Sequence, residues 1–136
     1  MMNFTENEKR TLTKNVKAVL DFVRAEVCPY IRDRQYLKFK DDPTHYPIMF
    51  IISPGKKGAI EFTRGFKSTE YYLGGDYDDK SVKYDLKEHR GHRHNFWECF
   101  DEMFAFIQSW QRLKSEIMAV VDHDKNISNT LNSFTV

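Results

Sequence analysis

Backbone punctuation is scarce in this chain: six Gly and four Pro occur among 136 residues, and two cysteines allow at most one disulfide. So few breakers leave no Pro/Gly/Ser-rich linker. Eleven Phe, seven Tyr and two Trp argue against disorder, because burying aromatics offsets the chain entropy lost on folding. An excess of charge of one sign is missing too. The 21 Lys plus Arg against 20 Asp plus Glu leave +1, so no overall field favours nucleic acid or an anionic membrane, and such binding has to rest on a local patch. No run of about 18 apolar residues exists, which excludes a spanning helix. The first residues, MMNFTENEKRTLTKN, lack a basic segment followed by an apolar run, so the expected location is cytoplasmic. Cys28 and Cys99 sit in apolar helical patterns and read as buried reduced thiols.

What is present suffices for one core. The expected organisation is a single α+β domain over 1–123 and a polar tail over 124–136, whose apolar members are Ile127, Leu131 and Phe134. Thr5 with Glu8 has the form of a capping box, and Leu12, Val16, Val19, Leu20, Val23 and Val27 follow at three- and four-residue spacing. This predicts an amphipathic helix from about 6 to 28, ended or kinked at Pro29. From QYLKFK onward the period falls to two. Strands are expected at 35–40, 48–53, 59–64, 69–73 and 81–87, joined by connections rich in turn residues. Links this short predict an antiparallel meander. Ile60, Phe62, Tyr71, Leu73, Val82, Tyr84 and Leu86 form its buried face. Glu61, Thr63, Glu70, Tyr72, Lys83, Asp85 and Lys87 form its wet face. IMFIIS, apolar on both faces, reads as a central strand.

A second capping pattern, Asn95 with Glu98, precedes Phe96, Trp97, Phe100, Met103, Phe104, Ile107, Trp110, Leu113, Ile117, Val120 and Val121, which predicts a long amphipathic helix with His123 near its end. The fold class is therefore α+β, a two-layer sandwich: an N-terminal helix, a four- to five-stranded antiparallel meander and a long C-terminal amphipathic helix. A helix of about 40 Å on a sheet about 24 Å wide leaves apolar surface over. From this follows the expectation of a homodimer through Phe104, Trp110 and Ile117.

The segment EHRGHRHNFWE, residues 88–98, carries the densest chemistry. In a meander, connections 41–47 and 65–68 and the strand exit at 88 fall at one end of the sheet. That end collects a candidate anion or nucleic-acid site made of Arg64, Lys67, Arg90, His92, Arg93 and His94, with Tyr36, Tyr46 and Phe66 available for stacking. His89, His92 and His94, with His45 or Glu88, have no specific metal-ligand spacing, and the intervening arginines would repel a dication, so no metal site is assigned. No set singles out a base, an acid and a charge stabiliser, and no cofactor motif appears, so the sequence leans away from an enzyme. The leading expectation is a small non-enzymatic binding protein with a protein partner, as inhibitors, immunity proteins and accessory subunits are. The alternative is nucleic-acid or phosphate binding through the basic end. A third is a histidine-dependent hydrolase, with or without zinc.

Overall fold

A computed structural model describes residues 2–32, 36–41, 47–55, 58–65, 69–73, 84–86, 93–94 and 96–136. The first helix, α1 (Glu6–Glu26), starts where the sequence places it. The Glu8 N–H donates to Thr5 Oγ1 at 3.1 Å and the Thr5 N–H donates to Glu8 Oε1 at 2.9 Å, satisfying two donors that a helix start leaves open. These bonds hold the Glu8 carboxyl below its ordinary range. Leu12, Val16, Val19, Leu20 and Val23 form the buried stripe. The helix stops at Glu26 and the chain turns over Val27–Tyr30 around Pro29, with Cys28 N–H still bonded to the Val23 carbonyl at 2.9 Å.

Six strands follow: β1 (Leu37–Asp41), β2 (Ile48–Ile52), β3 (Ile60–Arg64), β4 (Thr69–Leu73), β5 (Tyr84–Leu86) and β6 (Arg93–His94). Each pairs antiparallel with the next, in the order β1-β2-β3-β4-β5-β6. The meander is therefore as the turn-rich connections imply, with β2 inside the sheet. It has one strand more than the sequence suggests, because β6 lies within the histidine segment. One register row runs Phe39–Phe50–Phe62–Tyr71–Tyr84–His94, and its members Phe39, Phe50, Phe62 and Tyr71 are buried. On the opposite face Lys38, Lys40 and Tyr72 are exposed. Thr63, expected on the wet face, is buried all the same: it is a short side chain on an inner strand, paired across the ladder with the longer Met49.

A single 3-10 turn, Phe96–Glu98, leads into α2 (Phe100–Asn132), whose N-cap is Cys99 and carries no side-chain cap bond. Asn95, the expected cap, lies outside the described residues. Phe106 of α2 seats on the sheet, with its ring centroid 5.1 Å from Phe50 and 5.4 Å from Phe62. Arg112 Nη2 ties α2 to the edge strand at 2.8 Å from Asp41 Oδ2. The first helix packs along the second through Phe22 on Trp110, and Phe4, just before that helix, packs on Phe104, both with ring centroids 5.8 Å apart. Helices and sheet share one hydrophobic core, giving the two-layer α+β sandwich.

Two expectations change here. Trp110 and Ile117 are buried and Phe104 is partly buried against Phe4, so the stripe expected to pair two copies is covered within the chain. The second helix also does not end near His123. It runs on to Asn132, leaving His123 exposed in mid-helix, and positions 123 and 124 are both helical. Asp124, 1% exposed, ties the turn just past His123 to the chain leaving α1: its Oδ2 accepts the Arg32 N–H at 3.2 Å. Beyond it Leu131 and Phe134 are exposed.

The end of α1 is also locked to the β2–β3 connection. The Gly55 N–H donates to the Cys28 carbonyl at 2.9 Å, from a backbone with φ of +98° that favours glycine. Gly58 lies so close that a Cβ there would stand 2.5 Å from Cys28 Cβ, Cys28 Sγ and the Ser53 carbonyl oxygen.

Candidate functional site

With every neighbour antiparallel and in chain order, the links β1–β2, β3–β4 and β5–β6 leave the sheet at one end. The row that closes this end is Asp41–Ile48–Arg64–Thr69–Leu86. Of the six residues expected to form the basic site, Lys67, Arg90 and His92 lie outside the described residues, as do His45 and His89. Arg64 is at the closing row. Arg93 pairs with Asp85 and His94 with Tyr84, so the segment that reads as an open connection ends as a short strand. The ladder separates these two: His94 falls in the row of Tyr71 and Phe62, and Arg93 in the row of Asp85, Glu70, Thr63 and Lys40, on the other face from Arg64.

Arg64 does not stand open at this end. Its Nη1 donates to Glu102 Oε1 at 2.9 Å, joining the last residue of β3 to the first turn of α2, with the two side chains 34% and 21% exposed. Beside this pair the Tyr71 hydroxyl donates to the Cys99 thiol. Burial pushes the Glu102 carboxyl above its ordinary range, and the Arg64 guanidinium only partly opposes it. The Cys99 thiol is raised by burial and then by the Glu102 carboxylate, and the Tyr71 phenol is raised strongly by burial. Glu102 Oε2 is buried and has no hydrogen-bond partner among the described residues. A carboxyl and a phenol that resist ionisation, beside one cation already engaged, make a polar pin between helix and sheet. An incoming phosphate would meet a guanidinium whose charge Glu102 already offsets.

The described residues carry a second charged feature, on α1, which sequence reasoning missed. Along the helix face turned away from Leu12 and Val16 runs a shallow groove of about 700 Å³, walled by Lys9, Arg10, Lys14 and Lys17 and met at one side by Phe100 of α2. Glu6 and Asp21 line its two ends. Lys9 Nζ lies 3.2 Å from Glu6 Oε1 and 5.4 Å from the Phe100 ring centroid, and Lys17 Nζ lies 5.7 Å from the Trp97 ring centroid. Arg10 and Lys14 are exposed and make no hydrogen bond or ion pair with any described residue. The signal was available in the cations at 9, 10, 14 and 17, which share helical spacing, but the apolar positions alone suffice to define the helix.

Among the described residues no group of three His, Cys, Asp or Glu side chains is placed to hold a metal ion, and no helix is long and apolar enough to cross a membrane. Both cysteines are free thiols; Cys28 is buried as expected, whereas Cys99, the N-cap of α2, is only partly so. Compared with protein-family models, with curated proteins and with solved structures, the chain matches none.

Proposed function

We propose that the chain is a small binding protein whose partner is another protein, held through the cationic groove of α1. One observation carries this: Arg10 and Lys14 stand exposed on a helix face, in no ion pair with any described residue, beside the half-buried aromatic ring of Phe100. Cations flanking an aromatic side chain are a common anchor at protein interfaces. The cationic stretch is short. From Lys9 to Lys17 the helix rises about 12 Å before Asp21 reverses the sign, whereas a nucleic-acid strand would carry its negative charge on past that point. At the sheet end, Arg64 is already paired with Glu102, which weakens the nucleic-acid alternative there.

The test compares an oligoglutamate peptide with a single-stranded oligonucleotide of equal charge, titrated at low salt into the wild-type chain and an Arg10→Glu/Lys14→Glu variant. The reading expects peptide binding that the double reversal abolishes. Preferential, reversal-sensitive binding of the oligonucleotide would replace it with the nucleic-acid alternative.

A further inference from the structure

The stripe that seats α2 on the rest of the chain does not stop where its cover stops. Ile117, Val120, Asp124, Ile127, Leu131 and Phe134 follow one another at alternating three- and four-residue steps, the repeat of a helix–helix seam. Ile117 and Asp124 are buried, and Val120 packs against the core. Past Asp124, where the Arg32 N–H is bound, burial fades: Ile127 is half-buried, Leu131 is 66% exposed, and Phe134, one residue past the C-cap Ser133, is 75% exposed. From Asp124 to Asn132 the helix carries the stripe about 12 Å further.

Charge decides what fits there. Residues 126–136, NISNTLNSFTV, contain no Asp, Glu, Lys or Arg. The positions flanking such a seam choose between partners by their charges, and here they are Ser128 and Thr130, both exposed. A hydroxyl both donates and accepts, so these flanks are complementary to themselves. A charged partner gains no ion pair on this surface, whereas a second copy meets no like charge across it. A two-fold contact asks for nothing more, since one self-complementary patch supplies both sides.

We infer that two copies of the chain associate about a two-fold axis through this projecting end of α2, with Ile127, Leu131 and Phe134 of one covering the same residues of the other. The contact lies beyond Trp110 and Ile117, which are covered within the chain, and is separate from the α1 groove. Leu131, the middle of the three, lies nearest the axis. Three side chains are few against the roughly 800 Å² that each side of a standard interface buries, so the dimer is weak, with a dissociation constant on the order of 100 μM.

Sedimentation velocity of the full chain from about 10 μM to about 1 mM spans that constant and reads the association directly. Wild type is expected to pass from monomer to dimer over this range. Leu131→Glu and Leu131→Lys, both at an exposed position, should each weaken the dimer at least about tenfold by setting like charges together at the axis. An equimolar mixture of the two should dimerise again, because opposite charges then meet there. Arg10→Glu/Lys14→Glu should dimerise as wild type does, and circular dichroism checks that each variant keeps the fold.

A monomer throughout the range overturns the inference, as does a dimer that Leu131→Glu leaves intact. Loss in both Leu131 variants without recovery on mixing overturns the two-fold contact of this stripe with itself. A dimer lost in Arg10→Glu/Lys14→Glu but kept in Leu131→Glu places the contact on α1, which overturns the inference and also assigns the groove to a second copy.

Discussion

The pin between Arg64 and Glu102 makes an asymmetric prediction. Replacing Arg64 by Met leaves a carboxylate that is only 21% exposed, with one oxygen unpartnered and no other cation beside it among the described residues. Removing one partner of a fully buried pair costs about 3–5 kcal/mol, and disrupting an exposed pair about 0.2–1. At this partial burial the expected loss is about 2 kcal/mol at pH 7.5, which lowers the urea midpoint by roughly 1 M for a chain of this size. Glu102→Gln is different. It leaves the Arg64 guanidinium, 34% exposed, free to recover water, and it removes a charge that burial disfavours, so its cost should stay within about 0.5 kcal/mol.

The pH dependence follows from the raised Glu102 carboxyl. Its folded value lies above the ordinary 4.5, so the folded chain takes up this proton first as pH falls, and stability relative to Glu102→Gln rises through that window, levelling below 4.5. The guanidinium lowers the Glu102 value, so removing it moves the upper edge of the window to higher pH. The deficit of Arg64→Met against wild type should therefore be largest at pH 7.5 and shrink by pH 5. Urea unfolding of wild type and the two variants at both pH values, followed by far-ultraviolet circular dichroism, reads this directly. Equal losses from the two substitutions at pH 7.5, or an Arg64→Met deficit unchanged at pH 5, would refute the argument.

Gly58→Ala should destabilise the chain by about 2 kcal/mol in thermal unfolding, since the new methyl meets Cys28 Cβ and Sγ and the Ser53 carbonyl at 2.5 Å and overpacking of this kind costs about 1–3. Cys28→Gly in that background should recover only part of the loss, because the Ser53 backbone remains; full tolerance of Gly58→Ala would show that α1 does not rest on this connection. Burial pushes the Cys28 thiol up to about 11, so at pH 8 the thiolate is about 0.1% of the total. Alkylation of Cys28 in the folded chain should therefore be slow and become rapid on unfolding, and equal rates in both states would contradict its burial.

The two helices and the meander were legible because each is announced locally. Thr5 and Glu8 cap one another across three residues, and the change of period from about 3.6 to two near Leu37 needs no distant partner to be seen. The end of α2 was not legible. DKNISNTLNSFTV is polar enough to read as a tail, and what ties its first turn to the rest of the fold is Asp124 accepting from the backbone of Arg32, 92 residues away in the chain. The cover of the α2 stripe was not legible for a similar reason. Composition shows that Trp110 needs a cover, but not that Phe22 supplies it.

The candidate site divides in the same way. Hairpin connectivity was enough to bring the β3–β4 and β5–β6 links to one end of the sheet, because links that short permit little else. By itself, then, the sequence determined the elements, their order and the meander, all of which rest on the period of side chains along a strand or helix and on the reach of short connections. Tertiary structure decided that Arg64 is neutralised by Glu102, that Arg93 and His94 enter the ladder as β6, and that the cations of α1 face an open groove beside Phe100. Those outcomes depend on which surfaces meet across tens of residues. Which side chain covers another, and which charges pair, are properties of that meeting, and no local pattern encodes them.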